Sequence, residues 1–285
     1  MDSNPIMNPF LLEKTENETV SSVPITILGC SKLGHLSFKA TTKLLDGIQE
    51  LDINVIDTAP TYPGSHARIG DYFKSGSQST LRVMTKFGRG NMDLTPVLLK
   101  DSLYSSLKDL NKEQIFGLSI HNRPSESISQ EVIQTSTRLK QDGYLKYFGW
   151  CGAWENLPLD KIDSFDFLML PINPFIVNPP LSKIIGQIPI IAMNPFANFF
   201  WQFKKPNYVM QKMNEKIRKR YTVFPEIYKN IIIDPPGPNV ESLIKYLVNQ
   251  EYLSAFCFGS TKIDHIKEVI NTKDFVIGGM NYPKI

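Results

Sequence analysis

The chain has 285 residues, of which 21% are charged and 42% hydrophobic, and its net charge is +3. That composition is ordinary for a globular protein, and the length suits one large domain with a full core. The small net charge and the lack of a long Lys/Arg run argue against a nucleic-acid-binding face; Lys216 to Arg220 is only a short basic cluster. Cys30, Cys151 and Cys257 lack metal-ligand spacing and read as reduced thiols in or near a core. Residues 1–23 are a polar, acidic extension without the pattern of a signal peptide. No apolar run approaches the roughly 20 residues of a membrane helix. The expectation is a cytoplasmic protein with no membrane or nucleic-acid partner, built as a single domain over residues 1–285.

In chain order, strand-like and helix-like segments alternate. Ile25 to Leu28 is a first apolar strand, and Thr41 to Leu51 has helical periodicity with Leu44, Leu45 and Ile48 on one face. Asn54 to Ile56 is the second strand, and Ala67 to Phe73 suits a helix. Arg82 to Thr85 is the third strand, followed by a helix over Thr95 to Leu110. Ile115 to Ile120 is the fourth, followed by a helix over Ser127 to Asp142 that stops at Gly143. Leu145 to Trp150 and Asp166 to Leu170 are the fifth and sixth strands, with a short helical stretch near Leu159 between them. Ile188 to Met193 is the seventh, Ala255 to Phe258 the eighth, and Ile263 to Val269 a closing helix.

Such alternation means parallel strands joined by crossover helices. About eight such units in a chain of this size predict an α/β fold, a closed (β/α)8 TIM barrel. An open doubly wound sheet is the other option, but Gly29-Cys-Ser-Lys-Leu-Gly34 lacks the spacing of its phosphate loop. Residues 194–239 read as a long irregular loop between strands seven and eight. It holds Phe196, Phe199, Phe200 and Trp201, and a basic amphipathic helix from about Val209 to Lys229. That loop either lies over the barrel mouth as a substrate lid or packs on the outer helices.

Reactive groups recur at strand ends. Asp57 follows the second strand, with Tyr62 in the loop beyond it; Lys86 follows the third strand, His121 the fourth and Cys151 the fifth. Barrel active sites lie at the carboxyl ends of the strands. Each residue alone has a structural reading, as a cap, a surface group or a core histidine. Together on consecutive strands they form a candidate proton-transfer site. A neighbouring ammonium is expected to lower the pKa of the phenol, and a carboxylate to hold the ammonium. Histidine can orient a carbonyl or share the proton.

Asp57-Thr-Ala-Pro-Thr-Tyr62 with Gly64-Ser-His-Ala-Arg-Ile-Gly70 resembles the signature of the aldo-keto reductases. Thr85-Lys-Phe-Gly88, Leu118-Ser-Ile-His-Asn-Arg-Pro124 and Leu139-Lys-Gln-Asp-Gly-Tyr-Leu-Lys-Tyr-Phe-Gly149 are similar to further segments of that family. The resemblance runs from about Ile25 to Ile270. It implies a (β/α)8 barrel and a nicotinamide cofactor, usually NADP, with NAD as the other option. It also implies a small-molecule carbonyl substrate, with Tyr62 as general acid, Lys86 and Asp57 as its tuners, and His121 orienting the carbonyl.

The cofactor positions depart from the family pattern. Cys151-Gly152 stands where a Ser-Asn pair is typical, Met169 where glutamine is usual, and Met193 where an aromatic ring commonly stacks. Asn194 and Phe196 follow on the same strand end. After strand eight, Gly259, Ser260, Thr261 and Lys262 precede a helix, with His265 near the position of a phosphate-binding arginine. Free N–H groups there favour an anion. These departures open a second expectation, a cofactor-independent lyase, dehydratase, isomerase or cyclase using the same four residues. A non-catalytic barrel is a third.

Overall fold

The computed structural model describes residues 24–76, 79–90, 92–173, 181–196 and 240–279. Among them are eight parallel strands: β1 (Ile25–Gly29), β2 (Val55–Asp57), β3 (Arg82–Phe87), β4 (Ile115–His121), β5 (Leu145–Cys151), β6 (Phe167–Pro171), β7 (Ile190–Met193) and β8 (Leu253–Gly259). They pair in sequence order and close into a barrel. The closing seam runs from Ile25 opposite Ala255 to Gly29 opposite Gly259. The predicted (β/α)8 barrel is the observed fold.

Both faces of these strands are covered, so most of their residues are buried. Ile27, Val55, Met84, Phe167, Met169, Ile191, Ala255 and Cys257 fill the barrel lumen. Their strand neighbours Leu28, Ile56, Val83, Leu168, Leu170, Ile190 and Phe256 belong to the outer layer, packed against the helices. The alternation is the period of two expected of a strand.

The helices are α1 (Phe38–Gln49), α2 (Ser65–Lys74), α3 (Pro96–Leu110), α4 (Gln130–Gln141), α5 (Val240–Val248) and α6 (Ile263–Gly279). Side-chain caps set several starts. The Ser37, Thr95 and Ser129 hydroxyls accept from the amides of Ala40, Leu98 and Val132. Pro96 occupies the first turn of α3, where no amide is needed. α1 buries Thr41, Leu44, Leu45 and Ile48, the stripe its periodicity predicts.

Several boundaries move. α4 begins after Ser129 rather than at Ser127, because residues 125–127 form a separate 3₁₀ turn. α1 begins three residues earlier than expected, α2 two earlier, and α6 runs on to Gly279. α5 had no predicted counterpart, although Leu243, Ile244, Leu247 and Val248 form its buried stripe. The helix expected near Leu159 is two 3₁₀ stretches, Trp154–Asn156 and Leu159–Ser164. Residues 1–23 and the predicted loop beyond Phe196, with Phe199, Phe200, Trp201 and the helix over 209–229, lie outside the described residues. No helix among the described residues is long and apolar enough to cross a membrane.

Phe167 is fully buried in the lumen, and its ring lies against the backbone of Gly149 and Gly117. Phe167→Ala should lower unfolding free energy by roughly 3–5 kcal/mol, since it removes a large core side chain and leaves a cavity. Urea unfolding of the two proteins measures this; a loss below 1 kcal/mol would show that the lumen collapses to fill the gap.

Candidate active site

The ends of β2 and β3 set the central contact. Asp57 closes β2 and pairs in register with Met84, two residues before Lys86. The Lys86 ammonium donates to Asp57 Oδ1 and Oδ2 at 2.6 and 2.5 Å, and to the Thr58 carbonyl at 2.9 Å. All three of its protons are thereby engaged. Lys86 is 2% exposed, so the Asp57 carboxylate holds its pKa well above the ordinary lysine range, against the opposing effect of burial. Burial pushes the Asp57 carboxyl up, against the pull of the ammonium.

The loop after β2 is tied down by hydroxyls. Ser65 Oγ donates to the Cys30 carbonyl at 2.8 Å and lies 2.8 Å from Thr58 Oγ1. Two turns follow, with Tyr62 N donating to the Ala59 carbonyl and Ser65 N to the Tyr62 carbonyl. The Tyr62 ring is thus set with its centroid 5.1 Å from Lys86 Nζ. Burial pushes the Tyr62 phenol up to about 12, more than the Lys86 charge lowers it. This corrects the expectation of a lowered phenol. Desolvation decides the sign, and Asp57 offsets part of the ammonium's lowering effect.

His121 ends β4, opposite Cys151 on β5. Burial, then the charges of Lys86 and Arg89, bring its pKa down to about 3, so the imidazole is neutral. Cys151 is buried, with its thiol 3.8 Å from Met193 Sδ. Burial pushes that thiol up to about 12, so it remains protonated. Another histidine, the buried His66 on α2, lies 2.9 Å by Nε2 from Thr85 Oγ1, and burial brings it down to about 4.

A cavity of about 230 Å³ joins this cluster to the region after β8. Asp57, Tyr62 and Lys86 line one side of it. Met169, Met193, Asn194, Gly259, Ser260 and Thr261, six of the predicted cofactor positions, line the rest with Gly29, Ser31, Lys32 and Cys257. Four predicted residues are placed elsewhere. Cys151 lies behind Met193. Phe196 packs on Phe258, with ring centroids 5.6 Å apart. Lys262 is exposed, with its amide bonded to Ser260 Oγ at 3.1 Å. His265 sits in the first turn of α6. His121 is also outside the lining of this cavity.

Ser31, Lys32 and Cys257 were not anticipated. The first two follow the end of β1 as the reactive residues follow other strands, so the same rule points to them. Cys257 is the inward neighbour of Ala255 on β8, readable from strand alternation.

The departure at Gly152 has a steric cause. A Cβ there would lie 2.5 Å from the Trp150 ring and 2.7 Å from Asn122 Oδ1. That oxygen instead accepts from Ala153 N at 2.8 Å and from Asn156 Nδ2 at 3.2 Å. The space a side-chain amide would use belongs to Asn122. The cavity therefore has two unlike halves. The polar floor after β8, with Ser31 and Lys32, suits phosphates; the opposite end offers Met169, Met193 and Cys257 as an apolar seat.

Comparison with known proteins gives the same assignment. A model of the Aldo/keto reductase family matches residues 26–285. An uncharacterized oxidoreductase of Bacillus subtilis, YqkF, is 24% identical over 262 residues, covering 85% of each chain. The holo form of aldo-keto reductase AKR11C1 from Bacillus halodurans superposes with a TM-score of 0.70 at 17% identity, covering 95% of this chain and 96% of that one. Its apo form gives 0.67 at 19% identity, covering 91% and 88%.

Both His66, which is buried, and the half-buried His121 are held neutral, at about 4 and about 3, against an ordinary value of 6.5. Below pH 6.5 the unfolded chain takes up protons that the fold refuses. Stability is therefore fullest above that pH and falls as pH drops toward 4, by up to about 1.4 kcal/mol per pH unit for each histidine. Urea unfolding at pH 7.5 and pH 5.0 should show this loss, and His66→Gln and His121→Gln should each lose less. Equal losses in all three proteins would clear the histidines as its cause.

Proposed function

The chain belongs to the aldo/keto reductase family and is an oxidoreductase of that type; we propose that it reduces an aldehyde or ketone with NADPH, using Tyr62 as the proton donor. One observation carries this reading. A phenol that keeps its proton lines the same cavity as a fixed Lys86–Asp57 pair and the polar floor after β8.

A nicotinamide held in this cavity would supply the hydride. Gly259, Ser260, Thr261 and Lys32 would hold its phosphates, with Lys262 adding positive charge at the start of α6. Met169 and Met193 would border its ring. The substrate oxygen accepts a hydrogen bond from Tyr62, which transfers its proton as negative charge develops on that oxygen. The resulting phenolate lies beside Lys86, whose position is locked by three hydrogen bonds. Neutral His121, at the end of β4 beyond the lining of this cavity, would add a second donor only for a substrate that extends to it. Excess positive charge near Lys86 is limited, because Asp57 compensates it and His121 stays unprotonated.

Tyr62→Phe should reduce turnover by about 100- to 10,000-fold, with unfolding and NADPH affinity unchanged. Wild-type turnover should also be flat from about pH 6 to 9, because Tyr62 with a pKa of about 12 keeps its proton throughout. Nicotinamide fluorescence titration gives the direct check. Failure of both NADPH and NADH to bind at millimolar concentration would sink the redox reading and leave the cofactor-independent one.

A further inference from the structure

Beyond β3 the chain makes a Gly88-Arg89-Gly90 loop. Both glycines are left-handed, with φ of 74° and 95°. Any Cβ at residue 88 would lie 2.3 Å from Leu94 Cδ2. Arg123, two residues beyond His121, closes the loop from the other side. Its Nη1 donates to the carbonyls of Gly88 and Gly90, so the bonds bracket Arg89. The Arg123 carbonyl in turn accepts from the indole of fully buried Trp150 at 2.8 Å. The loop backbone on either side of Arg89 is thus braced rather than a free turn.

Arg89 is exposed. Among the described residues no carboxylate pairs with it, and Arg123 bonds only to carbonyl oxygens. Two guanidinium groups with uncompensated charge therefore stand at the strand ends beside His121. The Arg89 charge reaches the imidazole and contributes to keeping it neutral. An exposed guanidinium carried on a backbone held in this way, at the strand ends beside His121, is suited to a planar anion, which it can bind through two parallel hydrogen bonds.

We propose that Arg89 reads a carboxylate on the substrate, so that the preferred substrates are aldehydes or ketones bearing a carboxylate. This rests on the carbonyl-reductase reading of the same site. It assigns Arg89 to substrate binding, with Arg123 as a positioning residue that acts through the loop.

A matched pair of probes tests it: 4-formylbenzoate and its neutral methyl ester, with the full chain and NADPH. Arg89→Gln should lower kcat/KM for 4-formylbenzoate roughly 10- to 100-fold, mostly through KM, and leave the ester within about twofold. Arg89→Lys should fall between. If Arg89 acts only by keeping His121 neutral, both substrates lose equally, and the proposal is overturned. An unchanged rate with 4-formylbenzoate overturns it too. Absence of turnover with either aldehyde counts against the reductase reading alone. In that case calorimetric binding of 4-formylbenzoate decides the role of Arg89: at least tenfold weaker binding in Arg89→Gln supports it, while equal binding, or none to the wild type, overturns it.

Discussion

The buried contact between Lys86 and Asp57 is the constraint around which the barrel mouth is organised. Removing two charges from water is unfavourable by several kcal/mol per ion, so such a pair persists only with good geometry and full hydrogen bonding. Both conditions are met, since the ammonium spends its third proton on the Thr58 carbonyl. The contact also joins β2 to β3 across their carboxyl ends. Replacing either partner would leave an isolated charge in the core.

Much of the mouth answers to this pair. Tyr62 is carried on the loop that Thr58 and Ser65 pin to β1, so the phenol and the ammonium are held by neighbouring parts of one hydrogen-bonded corner. His121 is neutral in part because Lys86 is charged. A weak base near a cation gives up its proton readily, and a phenol in a dry site keeps its own. The cavity therefore holds a protonated phenol beside an internally compensated ion pair.

The barrel was legible because its strands are continuous apolar runs and its helices carry regular stripes, as in β4 and α1. That Asp57, Tyr62 and Lys86 would meet was legible because each stands at or just beyond the carboxyl end of a strand, and strand ends converge in this fold; His121 stands at such an end too but outside the cavity's lining. Three kinds of feature were not. The direction of the Tyr62 shift depends on how much water reaches the phenol, which spacing does not encode. Helix ends such as Ser129 depend on which of several hydroxyls, Ser125, Ser127 or Ser129, wins the cap. The bracing of residues 88–90 by Arg123 runs through backbone carbonyls, and these carry no side-chain signature. Phe196 shows the converse: its proximity in sequence to the cavity residues Met193 and Asn194 did not keep it facing inward, since β8 offered Phe258 as an aromatic neighbour.

The crowding at Gly152 bears on how this chain can change over generations. Asn122 and Trp150 occupy the room a side chain would need, and Asn122 also secures the backbone at Ala153. A lone substitution that brought an amide to position 152 would meet steric overlap before it offered any ligand contact. Recovery of the family's usual pair would require concerted replacement on two strands, through intermediates less stable than either end state. Position 152 is thus coupled to two neighbours: the side chains that pack around glycine there also exclude any larger residue until they change.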